Sequence, residues 1–215
     1  MAREKTRGGP RPVRQDRARA TRDALVTAGE QLLDGRDPEA ISLEELLARA
    51  GASASSFYQR FASKERFVDH LHARFCEKIS AASAEWASIE RWAGHPLEEV
   101  ATSGISGYLA FRRAHAGALR SLEIVEARHP DLMARRREVD LALARRVRAC
   151  VLSLRSRDGR APSMVRVDLA LDLAVSTVRA AVDDGKRVRA IVHHDDERLV
   201  ADLVPLIVHY LLGAP

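Results

Sequence analysis

Between Arg17 and Asp34 the residues Leu25, Ala28, Gly29, Leu32 and Leu33 recur at intervals of three and four, the spacing of one helical face, and Gly35 follows as a stop. The next apolar set is shorter. Leu43, Leu46, Leu47 and Ala50 outline about two turns, opened by Ser42 and closed by Gly51. Ser42 and Glu45 spell a capping box, in which the hydroxyl accepts from the Glu45 amide and the carboxylate reaches back to the Ser42 amide. Ile41 and Leu46 stand where a hydrophobic staple would fix the start. Ser53 then opens a helix expected over Ala54–Phe61, where Phe57 and Phe61 share the inward face and Ala54, Ser55, Ser56, Gln59 and Arg60 are left outward. Ser63 caps a third start at Lys64. Three helix N-termini therefore crowd together, each with unpaired amides and a positive dipole end that suits a phosphate.

From Lys64 to Trp86 the stripe Phe67, Leu71, Phe75, Ile79, Ala82 and Trp86 predicts a helix longer than a small domain needs, a strut from one core into another. Pro96 at a first helical position leads a helix through Leu97, Ala101, Gly104, Tyr108 and Phe111. A short helix over Leu119–Ala127 follows, then a long one through Leu132, Val139, Leu143, Val147 and Leu154. Met164–Asp184 is apolar on more than one face, so one neighbour cannot cover it. Asp195 caps a last helix through Leu199, Leu203, Leu206, Ile207, Tyr210 and Leu211, with a kink expected at Pro205. No stretch alternates with the period of a strand, so the expected fold class is all-α. The two late helices point to a homodimer seam, with a buried layer within one chain as the alternative.

Charge changes this picture mainly at the start. The 215 residues carry a net charge of +5 with a pI near 9.7, and Arg3, Lys5, Arg7, Arg11, Arg14, Arg17, Arg19 and Arg22 crowd one end beside the three helix starts. Residues 1–16, with Gly8, Gly9, Pro10 and Pro12 among charges, read as a disordered basic arm: a solubilising tail or a segment that tracks phosphates. Arg135–Arg137 and Arg145–Arg148 are diluted by acids and read as a solvated face. Cys76 and Cys150 lack CxxC spacing, no apolar signal segment is seen, and Leu203–Leu212 is too short for a membrane span, so a cytoplasmic protein is expected. No Gly-rich phosphate loop, GxSxG or HExxH motif is present, so an enzyme is not expected, nor a cofactor. His193-His194-Asp195 and the pair His70 and His72 lack the spacing of a metal site.

The run from Ser42 to Glu65, with Ala50-Gly51-Ala52-Ser53, Phe57-Tyr58-Gln59-Arg60-Phe61 and Ser63-Lys64-Glu65, resembles the helix-turn-helix of the TetR (tetracycline repressor) family of bacterial transcription regulators. Ser55 stands where that family commonly has Gly, Ala52 where it often has Val, and Leu47 where a small residue is usual. The resemblance implies a helix-turn-helix domain over residues 17–66, continuing into the linking helix 64–86, and a helical effector-binding and dimerisation domain over 67–215. It implies a repressor that binds a palindromic double-stranded operator as a homodimer through its last two helices and is released by a small-molecule effector. The other reading is a DNA-binding regulator with no such effector. In either, Ser42, Ser53, Tyr58 and Lys64 would hold phosphates, while Ala54, Ser55, Ser56, Gln59 and Arg60 would face the groove. Gln59 suits adenine, Ala54 a thymine methyl, and Arg60 guanine or a phosphate. Expected pocket residues are Phe75, Ile79, Trp86, Tyr108, Phe111, Arg112, Leu143, Asp172, Ser176 and Arg179, the last three because they punctuate an apolar helix.

Overall fold

Every regular element among the described residues is helical, apart from one isolated bridge between Pro96 and Arg155. A computed structural model of the protein describes residues 11–183 and 195–213. His193, His194 and the first ten residues of the expected arm lie outside them. The helices are α1 (Arg11–Leu32), α2 (Leu43–Ala50), α3 (Ala54–Tyr58), α4 (Lys64–Trp86), α5 (Leu97–Ala114), α6 (Ala116–Glu126), α7 (Pro130–Ser153), α8 (Met164–Asp183) and α9 (Asp196–Leu212), with a 3₁₀ turn at Pro38–Ala40. The helix α1 begins at Arg11, six residues before the expected boundary, so the stretch from Arg11 to Asp16 is helical. Pro12 falls in its first turn, where a missing amide costs no helical bond.

An N-terminal core forms where α1, α2 and α3 meet the first turns of α4. Leu25, Leu32, Ile41, Leu46, Phe57, Phe61, Phe67 and Leu71 fill it. Phe57 is fully buried, its ring centroid 5.5 Å from both Phe61 and Phe67. Farther along α4, Phe75 and Ile79 pack on Leu119 and Leu122 of α6, with Phe111, Val139 and Leu143 around them. The largest core joins α5, α7, α8 and α9 through residues such as Leu97, Val100, Leu109, Cys150, Val167, Val178, Leu203 and Ile207. At about 1.5 Å per residue, α4 is long enough to enter both ends of this arrangement.

The inward face of α8 is buried through Val167, Ala170, Val178 and Val182. Its outward face is not. Val165 is 92% exposed and Leu169 50%, and Leu206 on α9 is 59% exposed. Pro205 lies inside α9 on the exposed side.

Candidate nucleic-acid interface

Each of the three closely spaced helix starts is capped by a serine. Ser42 Oγ accepts from Glu45 N at 3.0 Å, Ser53 Oγ from Ser56 N at 3.2 Å, and Ser63 Oγ from Arg66 N at 3.3 Å. Gly51, at φ 59° and ψ 35°, closes α2 in the left-handed region, where a Cβ would be strained, and turns the chain into α3. The expected capping box is half made. The Glu45 carboxylate turns away to Arg36, with bonds of 2.6 and 3.0 Å, and that hydrogen bond lowers the Glu45 pKa below the usual carboxylate range. A bidentate guanidinium outcompetes a single amide for a carboxylate.

The helix α3 ends at Tyr58, three residues short of expectation. After it the chain tightens, with Arg60 N and Phe61 N both donating to Phe57 O at 2.9 and 2.8 Å. Burial of Phe57 turns the opposite side outward: Ala54, Ser55, Tyr58 and Gln59 are exposed, and Tyr58 is 55% accessible. Ser42 and Ser53 are exposed as well, while Ser56 is half-buried and receives a 3.1 Å bond from the Ser53 hydroxyl. Two basic residues depart from the expected pattern. Arg60 lies half-buried against the protein, its Nη1 donating to Ser56 O at 2.6 Å and its Nε to Ala18 O of α1 at 3.1 Å. Lys64 Nζ donates to the backbone oxygen of Glu39 in the 3₁₀ turn.

A short exposed polar helix, its rear clamped by three phenylalanines and its start held by a serine, is the shape of a groove-reading element. Residues 25–71 match the family model described as bacterial regulatory proteins, tetR family. Residues 25–71 are therefore similar to the N-terminal segment of TetR-family regulators. The fold has counterparts among solved structures. It is similar to a transcriptional regulator of Aquifex aeolicus VF5 (15% identity, TM-score 0.60, covering 87% of this chain and 98% of that one). It is also similar to FadR of Bacillus subtilis in complex with stearoyl-CoA (14% identity, TM-score 0.61, 87% and 97%) and to a TetR-like regulator from Rhodococcus sp. RHA1 (16%, 0.60, 90% and 97%). No curated protein matches the chain. The matched segment, residues 25–71, holds the three capped helix starts and the exposed face of α3.

The N-terminal head is fastened to the rest of the chain at both ends of α6. At the start of α6, Gly35 N donates to Gly117 O at 3.0 Å, and a Cβ on Gly117 would fall 2.9 Å from Asp34 Cα, so only glycine permits this approach. Past the end of α6, Arg128 pairs with Asp37 at 2.6 Å and Glu39 at 3.1 Å, and His129 Nε2 lies 2.8 Å from Glu39 Oε1. The His129 bond, with help from Arg128, holds the Glu39 carboxyl below its usual range. Deeper between α4 and α6, fully buried His72 has its Nε2 2.9 Å from Glu126 Oε1 and its Nδ1 3.8 Å from Cys76 Sγ. Burial opposes a charge on His72, but the bonds to Cys76 and Glu126 prevail and raise its pKa to about 9. A cleft of about 160 Å³ opens beside these ties, between Glu39, Val68, Asp69, Val125, His129 and Leu132. Sequence reasoning missed the 3₁₀ turn and its acids. Pro38 between Asp37 and Glu39 was the available signal, since a proline in a short turn fixes where both carboxylates project.

The ten expected pocket residues are not gathered in one place. Phe75, Ile79, Phe111 and Leu143 do meet, around one cluster. Trp86 and Tyr108 belong to the larger core, where Trp86 Nε1 donates to Ser103 Oγ at 3.2 Å and burial raises the Tyr108 pKa. Arg112 is buried on α5. Asp172 and Ser176 are exposed on the outward face of α8, and Arg179 is exposed and paired with Glu123 of α6 at 3.2 Å. The periodicity of α8 showed that one neighbour could not cover it but left open whether a layer within the chain would, and the outward side is uncovered at Val165 and Leu169.

Proposed function

We propose that the protein is a cytoplasmic bacterial repressor that binds a palindromic operator as a homodimer and is released by a small-molecule effector. The observation that carries the reading is the exposed polar face of α3, with Ala54, Ser55 and Gln59 outward above a fully buried Phe57. Gln59 and Ala54 read base edges, and Ser42, Ser53, Tyr58 and Lys64 hold phosphates. Ser56 supports α3 from its half-buried place. Lys64 reaches a phosphate by exchanging the Glu39 carbonyl for it.

Dimerisation goes through α8 and α9. Val165, Leu169, Leu173 and Leu206 are exposed there, and burial of such a side chain is worth about 1.5–3 kcal/mol. Two-fold pairing sets two α3 helices about one DNA turn apart, which is why a palindrome follows. The effector enters beside Phe75, Ile79, Phe111 and Leu143, where α4 passes from the head into the second core. A ligand seated there moves α4 and with it the spacing of the two heads, by no more than its differential affinity for the two arrangements. FadR of Bacillus subtilis, of similar fold, was crystallised with stearoyl-CoA, which supports an effector in a body of this kind.

Selection of genomic fragments by the purified protein tests the reading. Fragments sharing an inverted repeat with half-sites about one turn apart are expected. A single unrepeated site, or no enrichment, would contradict it. Metabolites that raise the melting temperature then identify the effector class, and no hit from a broad screen would favour regulation without one.

A further inference from the structure

Arg60 adjoins the base-reading Gln59, yet two of its donors are engaged by main-chain oxygens: Ser56 O in α3 at 2.6 Å and Ala18 O in α1 at 3.1 Å. The first bond satisfies a carbonyl at the end of a five-residue helix, which has no regular partner for it. The second reaches across 42 residues of sequence to a different helix. Ala18 is flanked by Arg17 and Arg19, both exposed, and Arg22 lies one turn farther along, also exposed.

We propose that Arg60 is a positioning residue that clamps the end of the recognition helix to α1, so that Arg19 and Arg22, three apart on one face of α1, lie along the phosphates bordering the groove that α3 reads. The inference rests on the DNA-binding reading above and adds a second contact segment to it. The major groove is about 12 Å wide, so a helix seated in it has its end close to a bordering backbone. A turn of α1 held within one arginine side chain of that end lies over this backbone rather than over the base edges. Arginines placed there add affinity and salt dependence without sequence information. Two bonds from one planar guanidinium also fix the angle between α3 and α1, which a single-headed ammonium cannot do.

The test is the salt dependence of binding to the operator and to random DNA for the full chain and its Arg60→Lys and Arg60→Gln variants. A pair carrying Arg19→Ala and Arg22→Ala together, with and without Arg60→Lys, completes the series. Each phosphate contact contributes about 0.9 to the slope of log affinity against log salt. Arg60→Lys keeps the charge but loses the clamp, so its slope is expected to fall by about 2. Operator and random DNA should lose affinity by the same factor. The two alanines should then add little on top of Arg60→Lys. Arg60→Gln should match Arg60→Lys in slope, and melting curves of both variants show that the head is folded at the assay temperature.

If Arg60→Lys keeps the full slope, or if either Arg60 variant loses preference at a single base pair, Arg60 contacts DNA itself and the inference is overturned. Losses that add fully between Arg60→Lys and the two alanines overturn it as well. So does a folding loss in both variants that accounts for the whole drop in affinity. A wild-type chain that binds no DNA would sink the DNA-binding reading instead, a result distinct from all of these.

Discussion

The outward faces of α3 and α8 are both exposed, and they differ in chemistry. On α3, Ala54, Ser55, Tyr58 and Gln59 offer small size, hydroxyls and an amide. On α8, Val165, Leu169 and Leu173 offer aliphatic carbon, continued by Leu206 on α9. The first face gains by meeting phosphates and base edges, which supply acceptors and donors in fixed places. The second gains by leaving water, which needs only another apolar surface. Asp172 and Ser176 lie on the second face, so the dimer reading gives them partners across the seam instead of a ligand within the chain.

The largest expected effect lies under the α3 face. Phe57→Ala removes a fully buried ring from the aromatic cluster and should cost about 3–5 kcal/mol of stability, read by thermal or urea unfolding. If the heads are carried on a separately stable body, DNA binding disappears while the dimer persists. Loss of both together would mean that the two faces belong to one cooperative unit.

Next is the tie between them. Glu126→Leu removes the partner of His72 and should cost about 1.5–3 kcal/mol. The His72 pKa is raised from 6.5 to about 9, so its contribution is complete below about pH 6.5 and is lost as pH rises through about 9. The wild-type melting temperature should fall across that window, and the fall should be shallower in Glu126→Leu. Identical pH profiles would remove this pair from the account.

Gln59→Ala acts on the α3 face alone. It should narrow the preference for operator over random DNA by about 1–3 kcal/mol, leaving stability and dimer mass unchanged. Equal losses on both DNAs would take base reading away from Gln59. The smallest effect belongs to Glu45. Since its carboxylate faces Arg36, Glu45→Ala and Arg36→Ala should lower the melting temperature by the same small amount, and the double variant by no more. A larger loss for Glu45→Ala would restore the capping box.

The α3 face was legible in sequence because its signals are local. Serines at three caps, Gly51 at the turn and Phe57 four residues before Phe61 each act within a turn of where they stand. The direction of Arg60 was not legible, because its partner Ala18 is 42 positions away and a carbonyl leaves no mark in composition. The same holds for Glu45, whose choice between Ser42 and Arg36 depends on how the Pro38 turn folds back. On α8 the sequence showed that one neighbour could not cover the helix, and the structure locates the uncovered side. The pocket was the least legible, since a cavity is what several helices leave between them and Phe75 looks the same in sequence whether it lines one or fills it.

Sedimentation of the chain with Val165→Asp and Leu169→Asp, alone and on operator DNA, tests most directly whether one face reads and the other pairs. The wild type should sediment at twice 23.8 kDa and the variant at 23.8 kDa, with the helical signal intact. Affinity of the variant for the palindrome should drop to that for an isolated half-site. A variant that stays dimeric and holds the palindrome as tightly as the wild type would contradict the assignment of the two faces.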